Sequence, residues 1–168
     1  MRKAKLTLPM ACMAVVSLLL TPAVATGPVS ASGNWSWIAP SALFQVTRVA
    51  DGNVFISAVE EDVFTGTLQG TGYGFFELQV HPEGFATGQG RTVFTGTVLG
   101  KSGTLQIQWV GNTNNDLGWW RFGWTILGGT GDLAGLQGYG SAFGPGPSGL
   151  DVLGGADYTG AVLSTAST

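Results

Sequence analysis

A chain of 168 residues with six tryptophans, nine phenylalanines and 44% hydrophobic side chains is long enough for one domain with its own core, and too apolar to read as a solvated disordered tail. Seven basic residues stand against ten acids, and beyond the extreme N-terminus only Arg48, Arg91, Lys101 and Arg121 are basic, a balance that argues against nucleic acid and anionic lipid surfaces as partners. Glycine is abundant, at 28 residues, but follows no three-residue period, which excludes collagen.

Arg2, Lys3 and Lys5 form a basic start, Leu6 to Leu20 an apolar run interrupted by Pro9, and Ala23-Val24-Ala25 a small-x-small cleavage site. Residues 1–25 therefore read as a secretory signal peptide. The alternative, an uncleaved anchor, is disfavoured because the apolar run falls short of the roughly 20 residues that span a bilayer. Val29-Ser30-Ala31 offers a second cleavage site. The single cysteine, Cys12, lies inside the signal without a convincing lipobox, so the cleaved chain would have no disulfide, thiolate nucleophile or cysteine-ligated metal. The expected location is secreted or periplasmic, with no membrane contact after cleavage.

Residues 26–41 read as a linker. Thr26 to Gly33 is small and contains Pro28, and Asn34-Trp35-Ser36-Trp37 either opens the fold or lies across it as a strap. Asn34-Trp35-Ser36 also matches an N-glycosylation sequon. The domain proper is expected over 42–168. Ala42 to Ala50 alternates, Asp51-Gly52 is a hairpin signal, and Asn53 to Glu60 follows with Val54, Ile56 and Ala58 on one face. Glu60-Glu61-Asp62 reads as a solvated strand end that discourages edge pairing, or, more sharply, as part of a cation site needing oxygens from elsewhere.

Phe64-Thr65-Gly66-Thr67-Leu68-Gln69-Gly70 and Phe94-Thr95-Gly96-Thr97-Val98-Leu99-Gly100 are near duplicates, with Tyr158-Thr159-Gly160-Ala161-Val162 a weaker third copy. Threonine and aromatics suit a pleated strand, and a glycine inside it permits a bend or a close approach. Two good copies are too few for a solenoid or propeller and read as repeated strand corners. Gly72 to His81 places Phe76, Leu78 and Val80 opposite Tyr73, Phe75, Glu77 and Gln79. Gly103 to Val110 places Leu105, Ile107 and Trp109 opposite Gln106 and Gln108, and a turn over 112–116 leads to the aromatic strand at Trp119, with Trp120, Phe122, Trp124 and Ile126 on one face. Tyr139 to Phe143 and Asp157 to Leu163 read as further short strands separated by a glycine- and proline-rich loop. No stretch beyond the signal sustains a 3.6-residue period; only Asp132 to Leu136 could form a helical turn. The pattern predicts an all-β fold, a closed antiparallel barrel or a sandwich.

Gly129-Thr130-Gly131-Asp132-Leu133-Ala134-Gly135-Leu136-Gln137-Gly138-Tyr139-Gly140, behind a tryptophan-rich strand, together with the Phe-Thr-Gly-Thr copies and Lys101-Ser102-Gly103-Thr104-Leu105, resembles a bacterial domain-of-unknown-function family of small β-barrels similar to allene oxide cyclase and dirigent proteins. The resemblance spans roughly 42–162 and implies a closed antiparallel barrel of about eight strands with an interior that could hold a small apolar ligand. It implies no activity, and no catalytic residue of either relative maps onto this chain.

Several motifs look chemical and are structural. Gly129-Thr130-Gly131-Asp132-Leu133-Ala134 fits a dinucleotide fingerprint, but no βαβ unit surrounds it. Asn112, Asn114 and Asp116 have calcium-loop spacing, yet Leu117 and Gly123 stand where glycine and glutamate are needed. His81, the only histidine, is expected at a strand end, so neither a triad nor a histidine-based metal site is favoured. The weak catalytic candidates are Glu77 and Arg121. With Tyr73, Phe75 and Trp119 they would line a pocket if their faces pointed inward; otherwise Phe76, Leu78, Val80, Trp120, Phe122 and Trp124 fill the core.

No cofactor or metal is expected. The favoured reading is a monomeric or weakly oligomeric barrel that binds a small apolar molecule rather than an enzyme. The alternatives are an isomerase or cyclase of the allene oxide cyclase kind using a barrel carboxylate, and a structural or partner-binding surface protein with an exposed aromatic patch from Trp35, Trp37 and Trp119.

Overall fold

A computed structural model of the chain describes residues 27–38, 43–113, 119–145 and 154–164. The expected signal peptide, the 114–116 part of the expected calcium-like turn and most of the expected 144–155 loop lie outside these residues. Nine strands run β1 Val29–Trp37, β2 Leu43–Ala50, β3 Asn53–Gly66, β4 Leu68–Val80, β5 Ala86–Val98, β6 Lys101–Thr113, β7 Trp120–Gly131, β8 Leu136–Gly144 and β9 Gly155–Ser164. Neighbours pair antiparallel from β2 through to β9. β1 pairs with β9, Val29 opposite Val162, and also with β3, Trp37 opposite Asp62. This double pairing closes a ring of eight strands, β1 and β3 to β9, so the expected closed antiparallel barrel is present. β2 continues the edge of β3 where β1 leaves it, from Leu43 opposite Val59 to Ala50 opposite Asn53.

Residues 29–37 are therefore a barrel strand: Asn34 to Trp37 open the fold, the first of the two alternatives, and the reading of 29–33 as linker is corrected. The alternation that reveals a strand is faint here because its first half is built of small residues. The hairpin at Asp51-Gly52 is present, both residues at positive φ (51° and 77°), as a two-residue type I′ turn demands. Leu99 and Gly100 repeat that geometry between β5 and β6 (52° and 79°). The Phe-Thr-Gly-Thr copies differ in use. Gly66 takes φ +95° and turns the corner out of β3, whereas Gly96 and Gly160 stay in strand and let a neighbouring backbone or ring approach closely. The stretch from Asp132 to Gly135 forms hydrogen-bonded turns, with Leu133 N–H donating to Thr130 O, and no helix is present among the described residues.

Period-two alternation sends one side chain of each pair inward. An eight-stranded ring is about wide enough for side chains to fill. At one end Leu68, Val98, Leu105, Leu136 and Val162 pack beneath Leu133, which the β7–β8 turn drops into the interior at 0% exposure. At the other end Trp37, Phe76, Trp109, Phe122 and Trp120 form linked ring pairs at centroid distances from 5.4 to 6.0 Å. Inward glycines make space for these rings: a Cβ on Gly90 would lie 2.6 Å from Trp109, and one on Gly140 or Gly160 would lie 2.6 Å from Trp124. Large rings over glycines are how so glycine-rich a chain packs a dense core.

Candidate functional site

Between the two apolar layers lies a polar level. In β3 the even-numbered residues face inward: Ala58, Glu60, Asp62 and Phe64 are all buried, while Glu61 between them is exposed. Glu60 and Asp62 are each only 2% exposed. The acidic cluster is thus the middle of a strand, and the reading of it as a solvated strand end is corrected. Opposite these acids β4 places glycines, Gly74 against Glu60 and Gly72 against Asp62. A Cβ on Gly74 would sit 3.2 Å from Glu60 Cγ and Oε1, and one on Gly72 would sit 3.3 Å from Asp62 Cβ and 2.6 Å from Thr92 Cγ2. The glycines in Gly72-Tyr73-Gly74 provide the room into which the two carboxyls fold.

Glu60 Oε2 and Asp62 Oδ1 have no hydrogen-bond partner. Both line a cavity of about 30 Å³ whose wall includes Trp35, Trp109, Trp124, Thr92 and Tyr158. That volume holds a water or two, or one functional group, and is well below the few hundred Å³ of a drug-sized pocket. Burial pushes the Glu60 carboxyl well above its ordinary value, the Asp62 charge pushes it further, and the Trp37 indole N–H partly offsets both, although its geometry falls short of a hydrogen bond. Burial alone raises Asp62 to about 8. At neutral pH the pair therefore retains protons, and it can act as a neutral donor, a shared-proton pair or, once deprotonated, a dense negative charge.

Tyr158 on β9 forms the far wall. Its hydroxyl donates to Thr65 O at 3.0 Å and accepts from Leu68 N–H at 2.9 Å, so it ties the last strand to the β3–β4 corner. Burial raises its ionisation above the usual phenol value, and the backbone hydrogen bonds from Leu68 and Thr67 partly offset that rise.

The residues singled out from sequence lie elsewhere. Tyr73, Phe75 and Glu77 are exposed on the outer face of β4, because Phe76 and Leu78 take the inward positions. Glu77 borders an open groove of about 400 Å³ with Thr47, Ser57 and Gln89. Trp119 is exposed just before β7 and Arg121 exposed on it. Trp119 stacks on Phe143 at 5.1 Å, and Arg121 stands 6.0 Å over the same ring. Arg121 borders a second open groove, of about 540 Å³, with Asp157 and Thr159. β5 and β6 separate the two groups, so no common pocket joins Glu77 to Arg121, and the inward placement on which their catalytic candidacy depended is not met. The alternative interior of Phe76, Leu78, Trp120, Phe122 and Trp124 is the one found. Of the aromatic patch expected from Trp35, Trp37 and Trp119, only Trp119 faces outward; Trp35 and Trp37 pack inside. His81 stands just after β4, its ring stacked on Phe85 at 4.1 Å and within hydrogen-bond range of Gln79 and Thr87.

The sequence offers Glu60 and Asp62 only as part of a cation site needing oxygens from elsewhere, and their place inside the barrel is hidden because charge reads as exposure. The signal that finds them is parity: the face that carries Val54, Ile56 and Ala58 runs on through Glu60 and Asp62 to Phe64.

A family model described as "Protein of unknown function (DUF3224)" matches residues 42–144. A solved structure of a protein of unknown function from that family, from Shewanella oneidensis MR-1, resembles this barrel with a TM-score of 0.58 at 15% sequence identity, covering 80% of this chain and 96% of that one. At that identity the likeness shows a common fold. No curated protein matches the chain.

Proposed function

Because this chain belongs to the DUF3224 family, a family of unknown function, its role has to be read from its own interior, and we propose that it is an exported β-barrel that binds a small molecule at the Glu60–Asp62 level. The observation that carries this reading is the pair of buried carboxyl oxygens with no partner, facing a cavity. A buried acceptor left unsatisfied costs about 1–3 kcal/mol, more when charged. A chain that maintains two such groups inside an aromatic core holds them for an occupant. The recognised group is small, since the cavity is. An apolar remainder would find room by rotation of Trp35 or Trp109, both half-buried in the cavity wall.

Tryptophan emission and thermal melting in the presence of hexanol, hexanoate and hexylamine test the proposal. At least one of the three shifts both signals in the native chain, and the shift is lost in Glu60→Gln and Asp62→Asn. Unchanged emission and melting with all three probes would remove the binding reading.

The raised carboxyls favour one other reading, an isomerase of the allene oxide cyclase kind. A neutral acid beside a carboxylate can donate to one atom of a substrate while its neighbour takes a proton from another. Its carboxylates are Glu60 and Asp62 rather than Glu77, and it predicts that Glu60→Gln keeps binding while turnover is lost.

A further inference from the structure

We infer that the group this site receives is a primary ammonium, seated between the Glu60 and Asp62 carboxylates and the faces of the surrounding tryptophans. The inference rests on the binding reading above and names its ligand class.

Charge comes first. The unpartnered polar atoms in the cavity wall, Glu60 Oε2 and Asp62 Oδ1, are carboxyl oxygens. The Tyr158 hydroxyl is already committed as donor and acceptor. No lysine, arginine or histidine lines the cavity among the described residues. A carboxylate pair without a cationic neighbour is matched by an occupant that brings positive charge and N–H donors together. An anionic occupant brings no N–H donor to these oxygens and adds a like charge as soon as either acid ionises.

The walls agree with this. Trp35, Trp109 and Trp124 present aromatic rings to the same cavity. Aromatic faces attract a desolvated cation, tryptophan most strongly. Size then narrows the class. A volume of about 30 Å³ suits –NH3+, which is close to a water molecule in bulk. A guanidinium or a trimethylammonium group is several heavy atoms larger. A divalent calcium-like ion wants about six to eight oxygens, and no group of three or more acidic, histidine or cysteine side chains is assembled among the described residues. Gly72 and Gly74 make room for the pair, since a Cβ on either would press on the acid opposite it.

Protons balance the binding. The ligand-free pair retains protons, so an incoming R–NH3+ seats as each carboxyl that becomes its carboxylate partner releases its proton to solvent, and affinity rises with pH until the amine itself deprotonates. Tyr158 on β9 is the other titratable side chain facing the cavity. β1, β4, β5, β6, β7 and β8 contribute none, and Glu61 points outward.

The test uses methylammonium chloride as probe, with sodium chloride at equal ionic strength and methanol as controls, read by melting temperature and tryptophan emission at about pH 6 and about pH 9, the two sides of the carboxyl titration. Calorimetry in two buffers of different ionisation enthalpy counts protons. The expected result is stabilisation by methylammonium beyond sodium, larger at the higher pH, with proton release and no response to methanol. Asp62→Asn should weaken the response about tenfold or more. The wild-type pH comparison stands even if a variant folds poorly. Equal stabilisation by methanol, or a methylammonium effect that grows toward low pH, overturns the ammonium assignment. A response to hexanol or hexanoate without one to methylammonium also overturns it and leaves the binding reading intact. Silence toward every probe removes both.

Discussion

Asp62 is the side chain on which pH acts most directly. Its carboxyl lies at about 8 in the folded barrel against an ordinary value of 3.8, because burial penalises the charged form. The folded state thus holds the proton more tightly than the unfolded chain does. The stabilisation is complete below the ordinary value and is lost as pH climbs through about 8. Glu60 shifts in the same direction. Melting temperature in ligand-free buffer is expected to fall steadily from about pH 5 to about pH 9. Asp62→Asn keeps the shape and removes the titration, so its melting curve should vary less with pH and lie above the native one at the alkaline end. A native profile that rises across this range would show that the pair is ionised in the fold. Sequence alone shows the parity of these acids but not their burial, because an aspartate is ordinarily solvated and nothing local distinguishes the exception. The decisive partners, Gly72 and Gly74, sit on another strand, and their register follows from the β3–β4 corner at Gly66.

Strand by strand, the chain is legible where side chains alternate strongly and turns carry their own chemistry. β2, β4 and β6 to β9 follow from runs such as Phe76-Glu77-Leu78 and from Asp51-Gly52, whereas β3 reads as broken at Glu60-Glu61-Asp62 and β5 shows only its second half. β1 does not follow, because Val29-Ser30-Ala31-Ser32-Gly33 lacks the contrast that marks a face. Gly33 is small for a reason seen only in three dimensions: a Cβ there would lie 2.5 Å from the Tyr158 hydroxyl. That hydroxyl is the tie between the last strand and the β3–β4 corner. Tyr158→Phe leaves the Leu68 N–H buried without its acceptor and should cost about 1–3 kcal/mol, a drop of roughly 2–12 °C in Tm for a chain of this size. Tyr139→Phe, on the exposed outer face of β8, is the control and should change stability by less than about 0.5 kcal/mol. Equal melting temperatures for the two variants would remove the tie.

The family match ends at residue 144 and begins at 42, whereas the ring is completed by β1 and β9 outside that span. Cleavage at the proposed export signal has to respect this. A cut after Ala31 would strip Val29, Ser30 and the buried Ala31, which pair with Val162, Ala161 and Gly160 of β9. A cut after Ala25 leaves β1 whole. The intact mass of exported protein should therefore correspond to a chain starting at Thr26; a start at Ser32 would contradict the closed ring. The same pairing also orders events in time. One edge of β1 can be met by β3 once residue 66 exists, but the other waits for residues 155–164. A polypeptide delivered N-terminus first, from a ribosome or through a membrane pore, cannot complete its barrel until residues 155–164 have emerged. So long-range a closure makes for high contact order and slow folding, and the chain stays threadable for as long as it is still being delivered.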